Sequence, residues 1–547
     1  MPQSEVAARR SSPGWALAVI ATGVLITAVD TTIVVLALPH IQRSLHASLS
    51  SVVWIIVSYL LVITLLSTQV GRLGDIFGRV RMYEAGFGVF VVGSICCAVA
   101  WSEPSMIGFR VLQGVGGALI AANSGAVIAD TFPPERRGRA YGFNAVGWNI
   151  GAIIGIVLGG LITTYLSWRW VFWINVPIGV AALVVALRVL RERGERQPRN
   201  LDLWGMGLLG VGLFGILWAM IELSSSSFNG PIAGGLIAGG IFLLAFVLVE
   251  KRAREPMIAL RLFRIPTMSP SLLAAFFQGL ANFAVLFLLI MYLQGVRHLT
   301  PLDGSLWLVP GYLIGGVASP FGGRLADRLG PAWPATVGLL ICVVSLLIYT
   351  QLTTTSPLWL VSIGSVVNGV GSGAFFPSNT AAVMGAAPAR DFGLTAGLLR
   401  SCANVGMVFS FAAAIVAASH SIPRALAFAI FVGGANLSGP RGIAFVGGIH
   451  TALYLAVALM LVAAGLSATR LLSRRPTSSQ ADAPTAAANA PSQVDGSSRN
   501  RVAALVLGLC GCLDQCRCGE AERIPSPAAR YGGTSSRKLC QIGLIDC

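Results

Sequence analysis

The chain has 547 residues, of which 55% are hydrophobic and 11% are charged, and its mean hydropathy is +0.76. Because so few polar side chains could not cover a water-soluble globule of this length, the composition indicates a protein embedded in lipid. The net charge of +16 does not indicate nucleic-acid binding, since the arginines form short clusters between apolar stretches.

Two further details narrow the class. Lys251 and Lys538 are the only lysines, so the sequence lacks the Gly-Lys-Ser/Thr end of a nucleotide-binding loop. The first apolar stretch is long enough to span a membrane and has no small-residue cleavage site, so we expect it to stay in the mature protein. No cofactor is indicated, and we do not expect an enzyme.

Fourteen apolar stretches follow one another along the chain. Each is long enough to cross about 30 Å of hydrocarbon as a helix that rises about 1.5 Å per residue. They occupy residues 15–38, 51–70, 82–101, 105–129, 140–163, 170–188, 203–223, 231–249, 269–294, 304–323, 334–353, 357–382, 394–418 and 447–468. The sequence therefore predicts an all-α polytopic membrane protein with 14 transmembrane helices.

Basic residues are concentrated in every second connecting segment. The positive-inside rule assigns such segments to the cytoplasm, and an even number of helices then puts both termini there. The clusters are Arg9 and Arg10, Arg72 to Arg81, Arg136 to Arg139, Arg188 to Arg199, Lys251 to Arg264, Arg324 and Arg328, Arg390, and Arg470 to Arg475. We expect a multi-pass protein of the cell inner membrane, surrounded by the lipid bilayer.

Three short motifs recur in the same order in the second half of the chain. Gly71–Gly78 is repeated as Gly323–Gly330, Gln113–Gly117 as Asn368–Ser372, and Gly138–Gly142 as Gly393–Gly397. The near-constant offset predicts two six-helix bundles with two additional helices between them, and many secondary transporters are built from such repeats.

This reading divides the chain into five parts. They are a cytoplasmic N-terminus over residues 1–13, a six-helix bundle over 14–190, two additional helices with flanking basic loops over 191–265, a second six-helix bundle over 266–470, and a cytoplasmic tail over 471–547. The tail is rich in Ser, Pro, Ala and Gln, so we expect it to be disordered.

The segment Gly71-Arg72-Leu73-Gly74-Asp75-Ile76-Phe77-Gly78-Arg79 resembles the signature between helices two and three of the major facilitator superfamily. Over roughly residues 14 to 470 the chain resembles the fourteen-helix drug:proton antiporter branch of that family. The resemblance implies a major facilitator fold in which this segment is a conformational latch on the cytoplasmic side. The predicted latch residues are Gly71, Arg72, Gly74, Asp75, Gly78, Arg79, Gly323, Arg324 and Asp327. A solvated turn with only a topogenic role is the alternative.

Asp30 lies inside the first predicted helix. A carboxyl group in a low dielectric holds a proton more readily than in water, and ionisable residues within a membrane are functional by default. The surrounding stretch resembles the helix-one signature of the branch, although Val35 stands where that signature usually has Asn. We predict that Asp30 carries the coupling proton. The alternative is a carboxylate that is merely satisfied by Thr31, Thr32 or a neighbouring helix.

Arg110 begins the motif Arg110-Val111-Leu112-Gln113-Gly114, which is similar to the helix-four motif of the family, where the arginine is associated with proton coupling. We assign Arg110 that role by resemblance. Snorkelling of its side chain to the lipid headgroups is the alternative. Gln113 and Arg400, which lies in the thirteenth helix, are candidates for contact with the substrate.

Glycines recur at four-residue spacing in the fifth predicted helix and predict close approach of another helix. They are Gly151, Gly155 and Gly159, with Gly160 beside them. The antiporter signature of the family has Pro where this chain has Ile156, so the signature is incomplete and packing alone is an alternative role.

Cysteines crowd the tail as Cys510, Cys512, Cys516 and Cys518. Their spacing differs from the usual Cys-x2-Cys pairs and no histidine follows, so we predict no metal site.

Taken together, the resemblance implies a monomeric carrier that exports small apolar or cationic molecules, such as drugs, dyes and antiseptics, in exchange for protons. Export of one endogenous metabolite or lipid-like compound is an alternative from the same fold. A membrane sensor or assembly scaffold without transport activity is an alternative from another class.

Overall fold

A computed structural model describes residues 13–132, 134–192, 200–225, 228–253, 256–258, 260–387, 392–420 and 440–472, and these residues include no β-strand. The predicted N-terminal segment before Pro13 lies outside the described residues. So do residues 421–439 and all of the tail beyond Leu472, including its cysteines.

The chain forms sixteen α-helices in the described part. They are α1 (Pro13–Leu45), α2 (Leu49–Phe77), α3 (Arg79–Ala98), α4 (Glu103–Thr131), α5 (Pro134–Tyr165), α6 (Trp170–Trp173), α7 (Asn175–Val189), α8 (Leu203–Ser225), α9 (Gly230–Arg252), α10 (Met268–Met291), α11 (Pro301–Leu306), α12 (Val309–Leu329), α13 (Ala332–Tyr349), α14 (Trp359–Ala386), α15 (Phe392–His420) and α16 (Pro440–Leu472). A 3₁₀ turn at Leu260–Arg264 precedes α10, and a π turn at Tyr292–Val296 follows it.

Helical structure occupies each of the fourteen predicted stretches, and 13 of the helices are both long and apolar enough to cross a membrane. The exception is α12, which has 21 residues but contains two prolines, several glycines and the charged residues of the repeated motif. These residues lower its hydropathy without preventing a helix, because the glycines lie against α14 and the charges lie in the last two turns.

The same helix pairs pack together in the two halves. In the N-terminal half α1 lies against α5, α3 against α4, and α2 against α4. In the C-terminal half α10 lies against α15, α13 against α14, and α12 against α14. These pairs correspond in the order that the sequence repeat predicts. The additional helices α8 and α9 pack against each other, and α8 also contacts α2 and α15, one helix from each half.

The predicted glycine face of α5 lies mainly against α1. A Cβ atom at Gly151, Gly155 or Gly159 would meet the backbone of α1, near Leu25, Val29 and Ile33 respectively. Because successive contacts advance four residues along both helices, the two backbones stay close over about two turns.

Gly160 points in another direction. A Cβ atom there would meet Leu302 and Ser305 of α11, in the C-terminal half. It faces this way because adjacent helical residues are about 100° apart around the axis. Three of the four predicted packing glycines therefore face α1, and the fourth lies between the two halves.

Gly151→Val should lower the thermal stability of the detergent-solubilised protein, since the added side chain would have to push α1 away from α5. Overpacking of this kind costs about 1–3 kcal/mol. The matched control is Gly88→Val on α3, because a Cβ atom at Gly88 would meet nothing within 4 Å. Equal apparent unfolding temperatures for the two variants would contradict the close α1–α5 contact.

Candidate functional site

Asp30 lies on α1 at the centre of a polar cluster inside the N-terminal half, and its side chain is 0% exposed. Thr31 and Thr32 are not its partners, since their hydroxyl groups donate to Thr27 O at 2.8 Å and Ala28 O at 3.0 Å on the same helix. The carboxylate is instead satisfied by side chains from two neighbouring helices.

Three donors converge on the two oxygens of Asp30. Arg110 Nη1 on α4 donates to Oδ2 at 2.7 Å, Gln113 Nε2 on α4 donates to Oδ1 at 2.8 Å, and Asn175 Nδ2 on α7 donates to Oδ1 at 3.0 Å. A charge this deeply buried costs several kcal/mol unless it is paired and hydrogen-bonded. Helices α1, α4 and α7 must therefore stay close enough for their side chains to compensate the charge of Asp30.

Arg110 is as enclosed as its partner, with 1% of its side chain exposed. Its Nε donates to Ile55 O on α2 at 3.0 Å, and its Nη1 also donates to Gln113 Oε1 at 2.6 Å. The guanidinium carbon lies 4.1 Å from the centroid of the Tyr59 ring, a cation–π distance. The side chain thus lies inside the bundle and does not snorkel to the headgroups.

Gln113 orients the pair. Its Nε2 donates both to Asp30 and to Ser94 Oγ, at 2.8 Å in each case, while its Oε1 accepts from Arg110. With both ends of its amide occupied and its side chain fully buried, Gln113 has a positioning role in this state and is not open to a ligand.

Sequence reasoning missed three members of the cluster, Asn175, Tyr59 and Ser94. Asn175 is a polar residue at the start of an otherwise apolar helix, which is a signal that could have been used. Tyr59 and Ser94 carry no comparable signal, because a tyrosine or serine inside a membrane helix is common and only helix contacts reveal its partners.

The C-terminal half contains an uncharged counterpart of this cluster. Asn282 lies 252 residues after Asp30, and Asn368 lies 255 residues after Gln113, the same offsets as those of the repeated motifs. Asn368 Nδ2 donates to Asn282 Oδ1 at 2.8 Å, just as Gln113 donates to Asp30. The geometry of the pair is retained, and the carboxylate is not.

The counterpart of Arg110 in this comparison is Ser365, and the counterpart of Tyr59 is Gly311. These two small residues touch, since a Cβ atom at Gly311 would collide with Ser365. Close contact of α12 and α14 thus fills the space that the arginine and tyrosine occupy in the N-terminal half.

Arg400 does not join the Asp30 cluster. It lies on α15, and its Nη1 donates to Ala121 O on α4 at 3.3 Å. None of the three ion pairs found between described residues involves Arg400. This cation therefore lies between the two halves, hydrogen-bonded to a carbonyl group.

The predicted latch contains an ion-pair network at the junction of α2 and α3. Arg79 donates from Nε and Nη2 to Asp75 Oδ1, at 3.1 and 2.9 Å, and from Nη1 to Asp130 Oδ1 at 2.7 Å. Asp130 lies at the end of α4, so the ends of three helices are joined. Burial raises the pKa of Asp130, and the positive charge of Arg79 opposes that rise.

Gly78 separates α2 from α3 with φ +110°, a conformation that residues with a Cβ atom rarely adopt. The Glu192 carboxylate, which follows α7, accepts the backbone N–H groups of Arg79 at 3.0 Å and Val80 at 3.1 Å. These are donors that the first turn of a helix leaves unsatisfied, and an acidic group favours that end of the helix dipole. Glu192 lies in a basic segment, and sequence reasoning did not single it out.

The remaining residues of the first copy are held in different ways. A Cβ atom at Gly74 would collide with the side-chain amide of Asn123, whereas one at Gly71 would meet nothing within 4 Å. Arg72 Nη1 donates to Asn200 O at 2.9 Å and its Nη2 to Pro256 O at 2.6 Å. Arg72 thus binds the segments on both sides of the additional helices α8 and α9.

The second copy of the motif does not repeat this network within the described residues. Arg324 lies 5.6 Å from the centroid of the Phe321 ring, and Gly323 faces Pro377. No ion pair of Asp327 is found in the described part of the chain.

These features define a multi-pass membrane transporter and not an enzyme. The chain belongs to the Major Facilitator Superfamily, whose family profile matches residues 20–411. Its relatives named for resistance and export indicate the multidrug-efflux branch.

Three curated relatives illustrate the range of named substrates. The chain is 34% identical to the tetracenomycin C resistance and export protein of Streptomyces glaucescens, over 73% of this chain and 74% of the relative. It is 31% identical to multidrug resistance protein Stp of Mycobacterium tuberculosis, over 72% and 74%. It is 28% identical to the riboflavin transporter RibZ of Clostridioides difficile, over 72% and 86%.

The fold is also similar to a solved structure of a bacterial homologue of the human lysosomal transporter Spinster, in an inward-facing and unoccupied conformation. The TM-score is 0.58 at 16% sequence identity, over 83% of this chain and 96% of that one. At this identity the similarity concerns the fold alone.

Arg110→Gln should lower the apparent unfolding temperature strongly, because it leaves the Asp30 charge buried without its partner, a loss of about 3–5 kcal/mol. The double variant Asp30→Asn/Arg110→Gln should recover most of that stability, since no uncompensated charge remains. Thermal unfolding of both single variants and the double variant in one detergent measures the coupling. Additive losses would contradict the direct pairing.

Arg79→Gln should make the stability of the protein more sensitive to pH. Without Arg79 the pKa of Asp130 should rise further. An acid whose pKa is higher in the folded than in the unfolded state loses stability as the pH rises between the two values. As the pH rises from acidic to neutral, the unfolding temperature of Arg79→Gln should therefore fall more than that of the wild type. The control is Arg81→Gln, an exposed arginine two residues away, and identical pH profiles for both variants would contradict the network.

Proposed function

We propose that the protein exports small apolar or cationic molecules across the inner membrane, with proton uptake at Asp30 driving an alternating-access cycle. The observation that supports this proposal is the fully buried Asp30–Arg110 ion pair in the N-terminal half, opposite a neutral Asn282–Asn368 pair in the C-terminal half. One titratable carboxylate at the core of a duplicated bundle fits a carrier that moves protons through a single site.

The geometry explains why protonation would be coupled to a change of state. A proton on Asp30 removes the negative charge and leaves Arg110 with neutral acceptors, Gln113 Oε1 and Ile55 O, and two aromatic faces. Leaving one partner of a buried pair uncompensated costs about 3–5 kcal/mol. The enclosed arrangement thus favours the ionised pair, and proton uptake requires an open arrangement in which Arg110 is solvated.

The free energy available from the proton gradient is of the same order as the cost of breaking this buried ion pair. One charge that moves down a potential of 100 mV supplies about 2.3 kcal/mol, and one unit of pH difference adds about 1.4 kcal/mol. Because these two free energies are similar, both the proton gradient and the ion pair can influence which face of the carrier is open.

Arg400 is our candidate for contact with the transported molecule. It lies between the halves and donates to a backbone carbonyl group in the described structure, so a substrate carbonyl or hydroxyl oxygen could replace Ala121 O. Gln113, the other sequence candidate, serves as the positioning residue of Asp30. We further propose that Arg79, Asp75 and Asp130 act as the cytoplasmic latch, with both termini in the cytoplasm and the carrier working as a monomer.

A second candidate is export of one metabolite, with drugs as incidental substrates. The named riboflavin transporter among the relatives favours it, because the same fold and branch then serve a single compound.

Asp30→Asn should reduce proton-driven dye transport to the level of vesicles without the protein, because the amide cannot take up a proton. Ethidium accumulation in inside-out vesicles, with an imposed pH gradient and with or without a protonophore, measures it. The matched control is Asp303→Asn, an exposed acid that pairs with Thr300 at the start of α11, and it should transport normally. Undiminished gradient-driven transport by Asp30→Asn would remove this residue from the mechanism. A dye-inactive wild type that moves riboflavin-like compounds would favour the second candidate.

A further inference from the structure

Two acidic side chains meet where the additional helices join the rest of the protein. Asp202 immediately precedes α8, and Glu250 lies in the last turn of α9 with 2% of its surface exposed. They are close enough for their carboxyl groups to interact directly. Neither residue belongs to the Asp30 cluster or to the predicted latch.

Each carboxyl group is only half satisfied. Gly205 N donates to Asp202 Oδ1 at 2.8 Å, and Ile258 N donates to Glu250 Oε1. The remaining oxygens, Asp202 Oδ2 and Glu250 Oε2, are both buried and have no hydrogen-bond partner in the described part of the chain. Two carboxylates cannot hydrogen-bond each other, but a protonated one can donate to the other. One shared proton would therefore satisfy both orphan oxygens.

Among the described residues, three basic side chains are neighbours of this pair in space or in sequence. Arg72 on α2 lies close enough to attract Glu250, while Lys251 and Arg252, the basic neighbours on α9, are exposed. One guanidinium group can offset one carboxylate but not two. Two ionised carboxyl groups in contact would repel, as in catalytic carboxyl pairs that retain one proton between them.

The pair lies where the segment before α8 and the segment after α9 are hydrogen-bonded to α2. Gln69 exchanges two hydrogen bonds of 3.3 Å with the backbone of Asp202, and Arg72 donates to Asn200 O and Pro256 O. Asp202 also accepts the N–H group of Gly205 in the first turn of α8, and Glu250 accepts that of Ile258 after α9. A change in charge of the pair would thus be felt in both flanking segments together.

We propose that Asp202 and Glu250 form a proton-binding carboxyl pair that fastens the additional helices to the end of α2 when it holds its proton and loosens them when the proton leaves. The site is separate from Asp30, so its existence does not depend on the proposed transport mechanism. Stability of the attachment is present at low pH and is lost as the pH rises through the titration of the pair.

Hydrogen–deuterium exchange of the full-length protein in nanodiscs tests this proposal, with peptides that cover residues 203–206 and 256–258. After correction for intrinsic exchange, the rate in the wild type should rise by roughly tenfold per pH unit below the titration midpoint of the closed pair and level off above it, because opening releases a proton only while the closed pair still holds one. Glu250→Gln cannot ionise and keeps a donor, so its exchange should be independent of pH. Asp202→Asn should behave in the same way. It provides the same test if Glu250→Gln does not fold.

The matched control is Glu103→Gln. This carboxylate also accepts a backbone N–H group, Ser48 N at 2.9 Å, and it lies at the start of α4, away from the additional helices. It should keep the wild-type pH dependence at the two flanks. A flat profile in the wild type, or an unchanged slope in both neutral variants, would overturn the proposal. Loss of the infrared carbonyl band of a protonated carboxyl group in Glu250→Gln at neutral pH would independently support it, and persistence of that band would count against it.

Discussion

The N-terminal half depends on the pairing of one buried carboxylate with one buried guanidinium group. Neither Asp30 nor Arg110 could remain charged alone in this environment, so the helices that carry them must stay close enough for direct contact. The glycines serve the same end. A Cβ atom at Gly93 or Gly116 would collide with Gln113 or Phe90 across α3 and α4, and the α5 glycines hold α1 in its place. Close helix packing and charge pairing are thus two aspects of one arrangement.

The two halves share a backbone plan but differ in electrostatics. The amide pair Asn282–Asn368 repeats the hydrogen bond of Asp30 and Gln113 without a charge, and Ser365 with Gly311 replaces the bulky Arg110 with Tyr59. Removing the arginine and the carboxylate together avoids an unpaired charge, which is the only inexpensive way to neutralise such a site. The C-terminal half can therefore bring α12 and α14 into closer contact at this site.

Much of this fold followed from periodicity and length. All fourteen stretches located by hydropathy contain helix, and 13 helices in the described residues could cross a membrane. Hydropathy ended α1 and α2 too early, since their last turns are polar and hydropathy reports lipid contact and not helix length. The motifs also identified Asp30 and Arg110, because charges inside apolar stretches are conspicuous. Asn175 and Glu192 were missed, and the contact of Gly160 with α11 could not be foreseen, because each role depends on which helix lies opposite. Sequence spacing shows which residues share one face of a helix, but it does not identify the helix that packs against that face.

The hydrogen bonds of Arg72 to Asn200 O and Pro256 O show how a fourteen-helix architecture differs from one with twelve helices. The sequence repeat predicts the two additional helices as an insertion between two six-helix bundles. Here their flanking backbone supplies hydrogen-bond acceptors to Arg72, and the Gln69 side chain is hydrogen-bonded to the backbone of Asp202, just before α8. Excision of the insertion would strip polar partners from the end of α2, so the shorter architecture is not simply this one with a piece removed.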